Sequence, residues 1–527
     1  MLHDKRQNDK MADLEALSVL ENQQRPSRRS EKTYGKKKGL KAPSRDIHYD
    51  LFGGGDENAI VEKMDQLTVK EDTVKPSQPI EKSSEPSQKS PTRHNPHLRG
   101  RRKPTSKKMA NLGPNKMQLL APLLALIDRQ VQDFQEFGRS MGRKFVCTKL
   151  GEGAYADVFE LRPKDAEEAI KVEERGGLVI KVIAFDVEKS TETDDIANLE
   201  SITREVQLLL ALDRMHGFAR CRGVHIVSGS YPDVLVEAFR NFKATGNPDA
   251  QNRDPTEVFC SDQTYVLIEM DHAGKPIGGF SNLSAFQAYD IFWKTAMILA
   301  SAEESVEFEH RDLHTGNICC KARLLNGTTD IEADLVQNMT DEPKVRLGLS
   351  NLHVTVIDYT LSRAKVQSET GKELIIADPI IYWEDNQIVG DNLSDQRQFN
   401  TYRKVRDWAK AVEAKVEALA EMDEDKGRVS LEKVDKYQRF LPKTNVMWLW
   451  YLVKELLARR GRAVVGSSGA ARRLQTALWR KLEAVSLYLD AVPTLMPEDV
   501  AELLESAVQF GWLSQEDVAA YKAELEE

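Results

Sequence analysis

The chemistry-bearing residues of this chain concentrate in one run, His310-Arg311-Asp312-Leu313-His314-Thr315-Gly316-Asn317. An aspartate and an asparagine spaced this way on a tight loop suit phosphoryl transfer. Asp312 would accept the proton of an attacking hydroxyl, and Asn317 would hold a magnesium ion against phosphate oxygens. Such a reaction asks little covalent chemistry of the protein, so positioned charge is the catalysis. Downstream, Val354-Thr355-Val356-Ile357-Asp358 reads as an apolar strand ending in a carboxylate. That ending puts Asp358 where a second metal ligand is needed.

Other elements must bring a nucleotide to that loop. Leu150-Gly151-Glu152-Gly153-Ala154-Tyr155-Ala156-Asp157-Val158 is a glycine-containing hairpin turn between apolar runs. Gly151 and Gly153 let backbone N–H groups approach phosphates. Ala156 stands where a third glycine would complete G-x-G-x-x-G. Lys181 lies inside the apolar strand Leu178-Val179-Ile180-Lys181-Val182-Ile183. A buried lysine without an anionic partner is costly, so phosphate oxygens and a helix carboxylate are expected to meet it. Glu205, on a helix predicted over about 197–215, is the expected carboxylate, with Glu200 as the alternative. A surface Lys and Glu without contact is the plainer reading.

Length and composition narrow the class. At 527 residues and 41% hydrophobic, the chain has room for two to three domains and a sizeable core. No run of about 18 apolar residues predicts a membrane span, and the polar stretch Met1 to Lys10 does not read as a signal peptide. Five cysteines without Cys-x-x-Cys pairing read as reduced thiols, not a disulfide or zinc framework. Cys319-Cys320 suit a buried strand after the loop. The net charge of −9 is unevenly spread: residues 1–110 hold 24 Lys+Arg against 16 Asp+Glu, leaving 50 against 67 for the rest. A basic tail on an acidic body suggests nucleic acid or an import receptor for the tail and a basic substrate for the body.

Residues 1–110 lack apolar periodicity and are rich in Lys, Ser, Pro and Gln, the pattern of a disordered tail. Arg99-Gly100-Arg101-Arg102-Lys103 with Lys107-Lys108 resembles a nuclear-import signal or a phosphate-binding patch. The same cluster is a candidate occupant, in cis, of an acidic substrate groove. From Pro122, Leu124, Ile127, Val131 and Phe134 fall on one helical stripe. Residues 111–272 read as a strand-rich half with a preceding helix. Its strands include Val224 to Ala238 and Thr264 to Met270; its helix should turn Ile202, Val206, Leu209, Leu210 and Met215 inward. Residues 273–527 read as a helical half, with helices over Leu283 to Ala302 and about 402–420, 445–460, 471–490 and 498–525. The polar stretch Lys321 to Asn351 reads as an insertion whose two glycosylation sequons are idle. The fold class is α+β, in two lobes.

Taken together, these residues resemble the haspin family of atypical protein kinases. The marks are the 310–317 run, Ile357-Asp358-Tyr359-Thr360-Leu361-Ser362-Arg363 in place of Asp-Phe-Gly, and Gly229-Ser230-Tyr231-Pro232. Gln398-Phe399-Asn400-Thr401-Tyr402-Arg403 and Asn445-Val446-Met447-Trp448-Leu449 add to them, and no Ala-Pro-Glu follows Asp358. The resemblance covers roughly residues 145–460. It implies a bilobal kinase fold, ATP and Mg²⁺ as cofactors, and an ordered activation segment that needs no phosphorylation. The implied substrate is a threonine near the start of the histone H3 tail; the implied setting is the nucleus and mitotic chromosomes, as a monomer. It further implies Lys181 on the α/β-phosphates with Glu205 as its partner, Asp312 as base, and Asn317 and Asp358 as Mg²⁺ ligands. Leu150, Gly151, Glu152, Gly153 and Val158 would cover the nucleotide. Met270 would back the adenine pocket, with Asp271 and Ala273 as its hinge. Glu384 and Asp385 are candidate acidic contacts for the basic substrate tail.

Two other readings remain. Asp-Leu-His-x-Gly-Asn also occurs in kinase-like enzymes that phosphorylate small alcohols, though Asp358-Tyr359-Thr360-Leu361-Ser362-Arg363 argues against that class. A catalytically inactive scaffold is the other, because His314 stands where ordinary kinases carry a lysine and Thr360 where they carry a glycine.

Overall fold

Apolar and β-branched residues between Phe145 and Met270 build an antiparallel sheet, and the long apolar stripes after it build helices. The computed structural model describes residues 112–153, 155–189, 196–246, 250–322, 347–350, 352–367, 373–377, 392–424, 438–461, 469–490 and 493–526. The basic tail, the two sequons, Glu384 and Asp385 lie outside the described residues.

Helix α1 (Pro114–Ile127) leads into β1 (Gln132–Asp133), α2 (Phe134–Lys144) and the hairpin β2 (Phe145–Glu152) and β3 (Ala156–Pro163). Next come α3 (Ala166–Glu174), β4 (Val179–Asp186), β5 (Ala197–Asn198), α4 (Leu199–Leu212), β6 (Cys221–Ser228), α5 (Asp233–Ala244) and β7 (Thr264–Met270). The sheet order is β1-β6-β7-β4-β3-β2, with β5 on β4. Lys181 sits mid-sheet, opposite Val158 on one side and Ile268 on the other.

Three sequence expectations change here. The stripe from Pro122 to Phe134 is not one helix: α1 stops at Ile127, Asp128 takes a left-handed conformation, and Phe134 opens α2. The stretch from Val224 to Ala238 is strand only to Ser228, because Pro232 ends extended pairing and caps α5. Along α4, Leu210 is 41% exposed and lies off the packed face.

The second layer is helical. It begins with β8 (Lys275–Pro276) and the largely buried α6 (Ala285–Val306), capped by a reciprocal Ser284–Gln287 box. β9 (Ile318–Ala322) and β10 (Leu352–Val356) form a hairpin that pairs Ile318 with Val356. Cys319 and Cys320 are buried on β9. A second hairpin, β11 (Arg363–Gln367) and β12 (Glu373–Ala377), follows. Then come α7 (Leu393–Glu424), α8 (Lys443–Ala458), α9 (Gly469–Leu489), α10 (Val500–Gln509) and α11 (Gln515–Glu526). The single helix expected over 498–525 is two, broken at Gly511, whose φ of 67° suits glycine. The core runs from Ile183 and Val206 through α6 to Trp448 and Leu482. No described helix is long and apolar enough to cross a membrane.

Candidate active site

The lysine within the sheet finds its carboxylates. Lys181 Nζ donates to Glu205 Oε1 at 2.7 Å and lies 3.7 Å from Asp358 Oδ1. Glu205 is brought there by α4, whose first turn is fixed by the Asn198 side chain accepting from the Ser201 N–H. The alternative, Glu200, is 82% exposed and bridges Arg204 instead. Burial alone would lower the Lys181 pKa; the Asp358 and Glu205 carboxylates outweigh it and hold the ammonium charged. For Asp358, burial raises the pKa, but the Lys181 ammonium and the Thr360 hydroxyl pull it down to about 2. Thr360 Oγ1 donates to Asp358 Oδ1 at 2.7 Å, so the threonine replacing glycine anchors this carboxylate.

Asp358 and Asn317 meet at one end of the β9–β10 hairpin. The Ile357 N–H donates to the Asn317 carbonyl at 2.9 Å, and Ile318 pairs with Val356. Asn317 Nδ2 donates to the Asp312 carbonyl at 2.9 Å and to Asp312 Oδ2 at 3.3 Å. Asp312 Oδ1 accepts from the Tyr402 hydroxyl on α7, and His314 Nε2 lies 3.8 Å from Oδ2. Burial pushes the Asp312 pKa up, against the pull of His314 and Tyr402.

His310 is buried, and its partners define its tautomer. Nδ1 accepts from the Asp312 N–H at 3.3 Å, so Nε2 carries the hydrogen given to the Ile357 carbonyl at 3.1 Å. Burial lowers its pKa to about 4. Arg311 adopts a left-handed φ of 63° and folds back on Glu309, with Nε 3.2 Å from Oε2. Glu309 also accepts from the Leu441 N–H at 2.8 Å and Thr444 Oγ1 at 3.0 Å. Asn445 grips the loop from behind: its Oδ1 accepts from the His310 N–H at 3.0 Å, and its Nδ2 donates to Glu303 and the Phe308 carbonyl. Tyr359 packs among Phe218, Phe308 and His310 and accepts from the Ala219 N–H at 3.0 Å, bridging sheet to loop.

The glycine loop is braced by a network that the sequence reading missed. Lys149, fully buried, donates to Glu152 Oε1 and Asp157 Oδ1, both at 2.6 Å, with its ammonium 3.8 Å from the Phe239 ring centre. Glu152 Oε2 accepts from the Gln251 and Asn252 N–H groups at 2.6 Å. Tyr231 Oη donates to Asp157 Oδ2 at 3.2 Å. The Glu152 carboxylate is therefore spent on this brace, and only its backbone is left to line a nucleotide. A bulge between Lys149 and Gly151 offsets the turn, and a Cβ at Gly151 would meet nothing within 4 Å. The Gly153 N–H donates to the Ala156 carbonyl at 2.8 Å, which closes the turn. Leu150 is 41% exposed above it.

At the end of β7, Met270 pairs with Val179 and Cys221. The Asp271 side chain is held by Arg222 at 2.6 Å, so its backbone, with that of Ala273, is what remains for a nucleobase. Among the described residues no group of three or more His, Cys, Asp or Glu could hold a metal. The hard oxygens of Asp358 and Asn317 fit Mg²⁺ that arrives on phosphates, since that ion takes one or two protein oxygens and completes its shell with phosphate and water.

Nothing in this geometry is built for covalent catalysis. Its charged groups surround the space a polyphosphate and an acceptor hydroxyl would share, which is how a protein kinase is organised. Within that class the chain belongs to the haspin kinase family: the description "Haspin like kinase domain" matches residues 147–486. Its curated relatives are serine/threonine-protein kinases. It is 25% identical to the haspin homolog of Schizosaccharomyces pombe over 73% of this chain and 70% of that protein. It is 25% identical to the haspin homolog of Drosophila melanogaster, over 59% of this chain and 48% of that protein. For haspin of Mus musculus the identity is 26%, over 62% of this chain and 38% of the relative.

Proposed function

We propose that this chain transfers the γ-phosphoryl group of ATP to a threonine near the start of the histone H3 tail, in the nucleus and on mitotic chromosomes. The observation that carries the phosphotransfer reading is Lys181 held between Glu205 and Asp358. In this reading Lys181 binds the α/β-phosphates, oriented by Glu205. Asp358 and Asn317 would hold Mg²⁺, which would supply positive charge to the phosphates. Asp312 accepts the threonine proton as the hydroxyl attacks. Gly151 and Gly153, without side chains, let the turn lie close over the phosphates, Leu150 and Val158 cover the base, Met270 backs its pocket, and the Asp271 and Ala273 backbone meets its edge.

The histone reading is supported by the family and by charge. The chain beyond residue 110 carries 67 acidic against 50 basic residues, which suits a basic tail. Glu384 and Asp385 are proposed contacts for that tail. The basic cluster near Arg99 is proposed to meet an import receptor or chromatin. The test is phosphosite mapping after incubation with ATP, Mg²⁺ and whole histone octamers, with Asp312→Asn as control. Phosphate on an H3 tail threonine, absent with the control, is expected. Transfer confined to other proteins would refute the substrate; no transfer above the control would refute the enzyme.

A further inference from the structure

The base of this site has an unusual neighbour. Its two carboxylate oxygens have different partners: Oδ2 meets Asn317 Nδ2 at 3.3 Å and His314 Nε2 at 3.8 Å, and Oδ1 accepts from the Tyr402 hydroxyl. Tyr402 is not on the catalytic loop. It rides on α7, in the Gln398-to-Arg403 stretch that marks the family and to which the phosphotransfer reading assigns no role. Its ring stands edge-on to buried Trp448 at 5.0 Å and tilted on Phe399 at 6.3 Å. Its oxygen accepts from Gln398 Nε2 at 3.2 Å. The helix beneath is tied to α8 by Ser394 and Arg397, both on buried Glu455. The phenol is therefore held in place by α7 and α8, outside the catalytic loop itself.

We propose that Tyr402 is a positioning residue for phosphoryl transfer, its hydroxyl fixing the rotation of the Asp312 carboxylate so that a lone pair faces the acceptor hydroxyl. A carboxylate turns about a broad torsion, and one donor per oxygen removes that freedom. Each carboxylate oxygen has two acceptor sites, so a donated hydrogen at Oδ1 leaves room for the substrate. Ordinary protein kinases set a lysine two positions after this aspartate; here His314 stands there, and it is more distant than a hydrogen bond. Asn317 on the loop reaches only Oδ2, and Tyr402 supplies from α7 the donor to Oδ1. Misplacing a base by a fraction of an ångström costs rate and leaves nucleotide binding untouched.

This inference rests on the phosphotransfer reading but not on the histone. The test compares the full chain with Tyr402→Phe and Tyr402→Leu. Transfer is measured both to a mixed histone and casein pool and as autophosphorylation, alongside calorimetric ATP·Mg binding and thermal stability. Phe keeps the ring on Trp448 and removes only the hydroxyl. The expected result for Tyr402→Phe is a kcat lower by about 10- to 100-fold, the worth of one hydrogen bond to a charged group, with KM for ATP, ATP affinity and melting temperature unchanged. Tyr402→Leu should lose kcat at least as far and stability as well. An unchanged kcat in Tyr402→Phe overturns the proposal. So does a loss of kcat matched by a loss of stability or ATP affinity, which would mark Tyr402 as packing only. A parent chain with no transfer above Asp312→Asn would overturn the phosphotransfer reading itself, and this inference with it.

Discussion

Replacing Lys149 by methionine tests whether the glycine loop is set by its own turn or by the ion cluster beneath it. Methionine keeps the length and apolar stem and removes the charge. Lys149 is fully buried, and the carboxylates it joins, Glu152 and Asp157, have side chains only 6% and 10% exposed. Removing one partner of a buried ion pair costs about 3–5 kcal/mol, because the other charge is stranded. The lower end applies here. Glu152 keeps the Gln251 and Asn252 N–H groups, and Asp157 keeps Tyr231 and Asn252 Nδ2 at 3.1 Å.

About 3 kcal/mol is roughly a 150-fold change in an equilibrium constant. It acts on the equilibrium between the braced and the open loop. The expected phenotype of Lys149→Met is therefore a KM for ATP raised at least tenfold, with kcat at saturating ATP within about threefold of the parent. The triple variant Lys149→Met, Glu152→Gln, Asp157→Asn removes the stranded charges and should recover most of the ATP affinity. Steady-state ATP titration with parallel calorimetry reads all three proteins. A single variant within twofold of the parent in KM and stability would refute the reasoning, as would a triple variant worse than the single.

Other perturbations have equally definite outcomes. Asp312→Asn removes the base and should lower kcat by about 10²–10⁴-fold with little change in ATP affinity, measured by radiolabelled transfer. Lys181→Met strands Glu205 beside Asp358 and should lower kcat/KM for ATP by about 10²-fold or more, with the fold retained by circular dichroism. Arg311→Met leaves Glu309 buried with its counter-charge weakened and should cost about 3 kcal/mol in urea unfolding, relieved when Glu309→Gln is added. His310 is held neutral, with its pKa lowered from 6.5 to about 4, so the unfolded state binds its proton more readily than the folded one. Stability from this group is complete above pH 6.5 and is lost as pH falls toward 4, by about 3 kcal/mol in all. Urea melts across that range, with NMR showing a neutral His310 ring at pH 5, check it; a ring already charged at pH 5 would refute it.

The parts of this site legible in the sequence are those whose local chemistry is self-contradictory without a partner. Lys181 in an apolar strand demanded an anion, and Glu205 lies 2.7 Å from it. Asp358 ended an apolar strand and sits at the mouth of that strand's hairpin. What stayed hidden depends on packing between distant segments. Lys149 looks like any lysine in a half-exposed strand; only the approach of α5 and of residues 251–252 buries it. Tyr402 lies 90 residues from Asp312 along the chain, and no spacing rule reports such a meeting. The end of α1 at Ile127 was hidden for the opposite reason. The apolar stripe continues through Val131 and Phe134, and it takes the left-handed Asp128 to turn those residues into a new element.

The motifs that mark the family prove to be supports for the chemistry rather than the chemistry itself. Tyr231, in the Gly229-to-Pro232 run, holds Asp157 of the glycine loop, and Pro232 fills a space so close to Gly138 that a Cβ there would fall 2.2 Å from it. Thr360 anchors the Asp358 carboxylate, and Ser362 Oγ donates to the His310 carbonyl at 3.0 Å. Asn445 spans the loop and α6, and Trp448, one turn on, seats Tyr402. Arg311 and Arg363 share one buried carboxylate, Glu309, which is itself fixed by the start of α8. An arginine in a left-handed conformation needs a strong anion to stay there, and Glu309 provides one permanently. The loop that carries Asp312 is therefore tied to α8 and to β11 through one buried carboxylate.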